Sequence, residues 1–438
     1  MEGELTGIET LLKKTAPTEH DRRLIKSLIH FTAKGQHRLK VPKAPETTLP
    51  VIHDGEWLRF KVLHELEIAV LSQLEEKLKE TPLPEIPPPD LSGSGLMPEQ
   101  KAAVLDALKH PVFFLTGGPG TGKTHTAGLL IKAMKQADPN LLIGVAAPTG
   151  KAVSQLKKSL LKHLPEEAFE AKTLHAMLEA FKDESPIQPY QVILVDEGSM
   201  IHLDMFSRLM SALRPNCRLI VMGDPWQLPP VEAGAIFKDL VEKAPGAKLT
   251  RCLRADLKEI VELSERIKAK DFKATLSFLK EGHPGIEWVP NCEMNFSVSE
   301  KMCLTPLKKG PFGSLRLNQK ALNECLIPPY PIIITRNHNE LMLYNGDMGV
   351  ILAREVEPGV KARFDAREIP AVLLPSWEYA WALSIHKSQG SEFDDIRILL
   401  PDDAEDLTAE LLYTAVTRAK KSCTLHASEL ALSKTLQN

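Results

Sequence analysis

The chain has 438 residues and a formal net charge of -3, with a sequence pI near 6.6. That length leaves room for roughly three domains with ordinary cores, and the near-neutral balance excludes a global basic field, so a nucleic-acid partner would have to meet a local groove of Lys or Arg. Six scattered cysteines with no CxxC pair, an acidic start "MEGELTGIETLLKK" and no long apolar run argue against a zinc site, a secreted disulfide framework, export and membrane spanning, which predicts a protein of the reducing cytoplasm.

Residues 1–80 are expected to form a helical N-terminal module. "HDRRLIKSLIHFTAKG" and "EWLRFKVLHELEIAVLSQLEEKLKE" place Leu and Ile three and four apart among charges. The amphipathic pattern suits docking to a partner. A linker follows at 81–95, with five prolines and then a Gly/Ser tail. Over 96–246 the apolar runs "VFFL", "LLIGVAA", "QVILV" and "CRLIVM" alternate with helical stretches, which predicts a parallel sheet covered by helices. A second region, 247–340 and 376–438, has its own strands "YPIIIT", "IRILL" and "CTLHA". It is interrupted at 341–375 by alternating strands with Asn-Gly-Asp and Glu-Pro-Gly turns, the pattern of a small β module.

The chemistry begins at "GGPGTGKT", which fits GxxxxGK[ST] between a strand and a helix. Gly117, Gly118, Pro119, Gly120, Thr121 and Gly122 would turn backbone N–H groups around phosphate oxygens. Lys123 would add a cation for the β and γ phosphates, and Thr124 a hydroxyl for Mg²⁺. The loop implies nucleoside triphosphate binding without saying what for. "QVILVDEGSM" ends a buried strand on Asp196, suited to the Mg²⁺ shell, and Glu197, suited to orienting and deprotonating water. "RLIVMGDPWQLPPV" repeats the arrangement and offers Gln227, whose two-sided amide can sense a γ-phosphate or the attacking water. In "LMPEQKAAVLDAL", Gln100 could pair with adenine. Each has a plainer reading by itself: a solvated turn for the acidic pair, a polar loop for Gln227, a surface residue for Gln100.

Taken in order, "PEQ", "GGPGTGKT", "AAPTGKAV", "KTLHAML", "VDEGSM", "GDPWQLPPV", "LTRCLRA", "AWALSIHKSQGSEFD" and "YTAVTRAK" resemble the motifs of superfamily 1 class B DNA helicases, and within them the RecD type, the alpha subunits of exodeoxyribonuclease V. "PIIITRNHNELMLYNGDMGVI" is similar to the RecD lead into an SH3-like insert. The likeness runs over roughly 96–425 and leaves the N-terminal module outside. It implies an α/β fold of two RecA-like P-loop NTPase domains with parallel sheets and a small SH3-like β insert. It also implies that Arg254 and Arg418 reach across to ATP, that Gly390 and Glu392 face the nucleotide, and that Pro148, Thr149, Lys151, Thr173, His175, Ser384 and His386 hold a single-strand backbone. The implied function is an ATP-dependent 5′ to 3′ DNA helicase and single-stranded DNA translocase. It would act at duplex ends beside RecB- and RecC-like subunits in break repair and recombination, with any nuclease in a partner.

The sequence departs from the family pattern in three places. Met97 stands where a Thr or Asn cap is usual, Trp226 occupies a polar site, and only a short stretch between "KTLHAML" and "QVILVDE" is left for a strand-splitting pin. A stand-alone RecD-like helicase, a regulatory subunit with a vestigial ATPase, and a P-loop small-molecule kinase remain as rival readings. The kinase leaves Arg418 and "HKSQGSEF" unexplained.

Overall fold

An Asp-Gly step shapes the start of the fold. In the computed structural model, β1 (Leu39–Lys40), β2 (Val51–Asp54) and β3 (Trp57–Phe60) make an antiparallel sheet in the order β1-β3-β2. Gly55 takes φ +62° in the tight turn that sets Asp54 opposite Trp57. The module expected to be mostly helical is therefore part sheet. Trp57 to Phe60 join the hairpin that Asp54-Gly55 closes, and the helix starts only at Lys61. The structure describes residues 18, 21, 23–24, 27–28 and 32, then 39–80 except 42, 46 and 48–49, and 86–437 except 180–188, 253–257, 294–296, 299, 339 and 406. Of the first expected helix, the described residues Asp21, Arg23, Leu24, Ser27, Leu28 and Thr32 are helical. The rest of it, the first part of the linker and the segment proposed for a pin lie outside the described residues.

The helix Lys61–Leu78 carries its apolar stripe at Leu63, Leu66, Val70, Leu74 and Leu78, and the stripe packs into the core of the first parallel sheet. Around it, the Lys77 ammonium donates to the Arg214 carbonyl at 2.9 Å, Gln73 Nε2 donates to Ser211 Oγ at 2.8 Å, and Arg59 pairs with Glu67 in a buried contact. This helix is a layer of the first parallel sheet.

That sheet contains β4 (Val112–Gly117), β5 (Ile143–Ala147), β6 (Glu170–Thr173), β7 (Val192–Val195), β8 (Arg218–Gly223) and β9 (Gly246–Leu249), all parallel, in the order β6-β5-β7-β8-β4-β9. Alternate residues serve opposite faces: Phe114, Ile193 and Val221 enter one core, while Phe113, Leu194 and Ile220 enter the other. Burial on both faces makes these strands continuous apolar runs in the sequence.

A second parallel sheet starts with β10 (Ile286–Val289) and β11 (Met302–Thr305). The chain then leaves to build an antiparallel sheet from β12 (Tyr330–Ile334), β13 (Met348–Ile351), β14 (Lys361–Phe364), β15 (Arg367–Pro370) and β16 (Trp377–Tyr379), ordered β15-β14-β13-β12-β16. It returns as β17 (Ala382–Ser384), β18 (Phe393–Leu400) and β19 (Ala419–Ala427), giving the parallel order β10-β19-β18-β11-β17. "YPIIIT", expected in the parallel sheet, lies instead between β13 and β16. Ile332 and Ile334 face one core and Ile333 another, so this strand is buried on both sides and reads like a parallel one. Among the described residues, no helix is long and apolar enough to cross a membrane.

Leu74 is 2% exposed at the seam between the N-terminal helix and the first sheet. Leu74→Ala is expected to destabilise the whole first parallel-sheet domain by about 2–5 kcal/mol. Denaturant unfolding would show this as a lower midpoint of the transition that also reports on the nucleotide site; an unshifted transition would mean that the helix folds as a separate module.

Candidate nucleotide and nucleic-acid site

Parallel strands all end on one edge, so the first sheet delivers its candidate residues together. β4 runs into Gly117 to Thr124, β5 into Pro148 and Thr149, β6 ends on Thr173, β7 precedes Asp196 and Glu197, and β8 precedes Asp224 and Gln227. Gly120 and Gly122 take φ of +73° and +80°, and Gly122 caps the helix Lys123–Ala137. A Cβ on Gly117 would stand 2.7 Å from both the Leu249 carbonyl oxygen and Thr121 Oγ1, so only glycine fits. Thr121 Oγ1 donates to the Gly118 carbonyl at 2.8 Å. The Lys123 ammonium donates to the carbonyls of Gly117 at 2.7 Å and Gly118 at 3.1 Å. Free N–H groups at the helix start and this ammonium together form an anion cradle, with Gly118, Pro119, Gly120 and Thr124 half-buried along it.

Gln100 takes a different role from the one its sequence suggests. It is 1% exposed, its Oε1 accepts the Met97 N–H at 2.9 Å, and its Nε2 donates to the Thr121 carbonyl at 3.0 Å. The amide fastens the helix Pro98–Ala107 to the phosphate loop. It also replaces the missing polar cap at Met97 rather than presenting itself to a base.

The acidic pair sits at the centre. Glu197 has φ +54°, a left-handed conformation that side chains other than glycine rarely adopt, and its N–H donates to Asp196 Oδ1 at 2.8 Å. Burial and then the Asp196 charge push the Glu197 carboxyl up to about 7, while Arg418 and Lys123 pull it back down. Burial also raises Asp196, opposed by that N–H bond and by Lys123. Gln227 is 8% exposed, and its Oε1 has no partner among the described residues. Ser199 Oγ, beside the acidic pair in sequence, is likewise buried with no partner among the described residues.

The second sheet closes over this edge. Tyr413 is fully buried, and its hydroxyl donates to Asp224 Oδ2 at 2.6 Å. A Cβ on Gly118 would lie 3.2 Å from that same hydroxyl. Burial pushes the Tyr413 phenol far up, so it stays a donor at any working pH. Thr414 Oγ1 accepts the Leu228 N–H at 2.9 Å, and Gln389 Nε2 donates to the Leu228 carbonyl at 3.2 Å. Trp226 packs against the hydrophobic core of the second sheet. Its departure from a polar residue is thus an interdomain apolar contact.

Arg418, 4% exposed, arrives just before β19. Its Nε donates to the Thr414 carbonyl at 3.0 Å and its Nη1 to the Ser391 carbonyl at 3.2 Å. Gly390 has φ +68° and Glu392 is exposed, both just before β18. Arg254 lies outside the described residues.

Of the expected strand-binding residues, Thr173 pairs with Ala147 in register, so Pro148, Thr149 and His175 emerge side by side. Thr149 Oγ1 caps the helix Gly150–Leu160 by accepting the Ala152 N–H, and Thr173 Oγ1 accepts the Ala176 N–H, both at 3.2 Å. His175 and His386 are exposed; Ser384 Oγ accepts the Lys387 N–H at 3.3 Å. Lys151 is the exception. Its ammonium turns inward, donating to Ser391 Oγ at 2.6 Å and to the Gly346 carbonyl at 2.9 Å. Reading residues by type passed over Ser391, Tyr413 and Thr414 and gave Asp224 no role of its own, although all lie inside quoted motifs. A Tyr in an apolar helix reads as core, and nothing local marks its hydroxyl as a bridge.

Tyr413→Phe removes that bridge without changing core volume. The expected loss is about 1–3 kcal/mol of cleft closure, read as a roughly tenfold or larger rise in KM for ATP in steady-state assays. An unchanged KM would show that the bond does not hold the cleft.

Comparison with known proteins finds relatives in sequence and fold. Residues 95–287 match the family model of an AAA domain, and residues 379–426 that of a UvrD-like helicase C-terminal domain. The ATP-dependent RecD2 DNA helicase of Deinococcus radiodurans is 29% identical over 74% of this chain and 48% of its own. The Bacteroides Pif1 helicase structure in complex with ADP-AlF3 and ssDNA shares the fold, with a TM-score of 0.51 at 19% identity over 77% of this chain and 94% of that one. The RecBCD enzyme subunit RecD of Mycolicibacterium smegmatis is 35% identical over 76% of this chain and 71% of its own. On that extent of identity, and with the phosphate loop, acidic pair and arginine all at one cleft, the chain belongs to the RecD family of helicases.

Proposed function

We propose that the chain is an ATP-driven 5′ to 3′ motor on single-stranded DNA, the helicase subunit of a cytoplasmic RecBCD-type complex that opens duplex ends in break repair and recombination. The observation that carries this reading is the closure of one cleft by both sheets. Lys123, Asp196, Glu197 and Gln227 enter from the first sheet, and Arg418 and Tyr413 from the second. Residues 1–80 are the candidate docking region for RecB- and RecC-like subunits, with Val62 61% and Ile68 53% exposed on the outer face of their helix.

Within the cleft, backbone N–H groups of Gly120 to Lys123 and the Lys123 ammonium hold the β and γ phosphates. Glu197 takes the proton from the attacking water, and Gln227 Oε1, buried with no partner among the described residues, accepts a hydrogen bond from that water. Arg418 stabilises charge on the transferring phosphoryl, with Arg254 as the candidate second arginine. Thr124 and Asp196 would hold Mg²⁺, since a hydroxyl and a carboxylate are the hard oxygen donors that this ion prefers. When bound there, Mg²⁺ would neutralise phosphate charge. Pro148, Thr149, Thr173, His175, Ser384 and His386 hold the strand backbone through groups that do not read sequence.

ATP hydrolysis by the purified chain, with and without single-stranded DNA, tests the reading. DNA is expected to stimulate turnover. Lys123→Ala should lower it by roughly a hundredfold or more, and Glu197→Gln by roughly 10²–10⁴. Turnover indifferent to DNA and to both substitutions would overturn the assignment in favour of a vestigial site.

A further inference from the structure

The strand order of the first sheet sets which way a nucleotide lies along it. β7 and β8, followed by Asp196, Glu197 and Gln227, stand on one side of β4, and β9 stands on the other. A γ-phosphate drawn towards the acidic pair therefore turns the nucleoside towards the end of β9, where Leu249 pairs with Gly117. The wall met there is built from Thr250, Arg251 and the start of the helix Pro98–Ala107. In that wall Glu99 and Gln100 carry the acceptors and donors that read the edge of a base.

Both side chains are engaged within the protein instead. Gln100 is 1% exposed, its Oε1 accepts the Met97 N–H at 2.9 Å, and its Nε2 donates to the Thr121 carbonyl at 3.0 Å. Turning the amide over would set N–H against N–H and oxygen against oxygen, so these two partners fix its orientation. The Glu99 carboxylate accepts the Arg251 N–H at 3.0 Å, the Thr250 hydroxyl at 3.0 Å, and the Thr250 N–H at 3.2 Å and 3.3 Å on its two oxygens. Thr250 and Arg251 begin the passage to the helix Lys258–Lys268, whose Ile260, Leu263 and Ile267 lie in the second core. Glu99 thus ties the chain between the two sheets to the same helix that Gln100 ties to the phosphate loop. A base that displaced Gln100 from either partner would strand a buried polar group, a loss as large as the bond gained. Recognition gathers at the other end of the nucleotide, at the loop N–H groups and the Lys123 ammonium.

We propose that Glu99 and Gln100 are positioning residues, a double clasp beside the nucleoside, and that the chain selects its substrate by the triphosphate, taking nucleoside triphosphates of all four bases as one class. This deepens the motor reading and rests on it for the site.

The test measures Kd for the Mg²⁺ complexes of ATP, GTP, CTP and UTP by titration calorimetry on the full chain, beside DNA-stimulated turnover of each. Wild type, Glu99→Gln and Gln100→Glu are compared. A site that reads a base by hydrogen bonds rejects the wrong one by roughly 10⁴–10⁵, whereas the spread expected here in Kd and kcat/KM is about tenfold or less. Gln100→Glu keeps the acceptor for Met97 and loses the donor to Thr121, so it should weaken all four nucleotides by one common factor, roughly tenfold, with their ratios unchanged. A preference for ATP of more than about tenfold in the wild-type chain would overturn the inference. So would an ATP to GTP ratio that shifts in either variant, or unchanged affinity for all four in Gln100→Glu. Base-indifferent binding without DNA-stimulated turnover would sink the motor reading and leave this inference standing; binding of none of the four would overturn both.

Discussion

A carboxylate taken out of water must find donors, and Asp224 finds one in each half of the molecule. The Trp226 N–H reaches its Oδ1 at 3.1 Å from the same loop, and the Tyr413 hydroxyl reaches its Oδ2 from the opposite sheet. This second bond makes the closed cleft a requirement of a buried charge rather than a loose apposition of two domains. The neighbouring contacts follow from it: with Tyr413 seated, Thr414 meets the Leu228 N–H and Trp226 covers the second core.

The acidic centre depends on the same closure. Glu197 is held in a left-handed backbone conformation just beyond β7, a cost tolerated where the surrounding structure over-determines the residue. The elements that hold it come from both halves. Gly198, next in the chain, lies so close to the Phe237 ring that a Cβ there would stand 2.6 Å from it. The Arg418 charge, delivered from the second sheet, offsets part of the effect of burial on Glu197. Arg418 is in turn aimed by backbone carbonyls that cannot change rotamer, so its position is set by the fold.

The two peripheral sheets are attached in ways that their sequence position conceals. The antiparallel sheet interrupts the second motor region, yet it meets the first through Lys158 and Asp365 at 2.8 Å and through Tyr344. The Tyr344 ring approaches Gly150 so closely that a Cβ there would stand 2.4 Å from it. The N-terminal helix, with its linker, resembles a free module in sequence but contributes Val70 and Leu74 to the core of the first sheet. Both attachments use side chains whose partners lie far along the chain, and so both escape a reading by periodicity.

The gathering of the candidate residues at one sheet edge was legible without coordinates, for a physical reason. Strands buried on both faces are continuous apolar runs, and in a parallel sheet their ends share one edge, so "GGPGTGKT", Asp196 and Gln227 could be placed together from local pattern alone. The Asp54-Gly55 turn is as local a signal, but the helical spacing of Leu and Ile around it masks the hairpin. Three matters were decided only by tertiary structure: the sheet that receives Tyr330–Ile334, the inward turn of Lys151, and the use of Gln100 as a clasp. Tyr413 meets Asp224 across 189 residues, and Lys151 meets Ser391 across 240. Residue type and local spacing determine what a side chain can donate or accept; which partner it finds at such separations is set only when the two sheets pack.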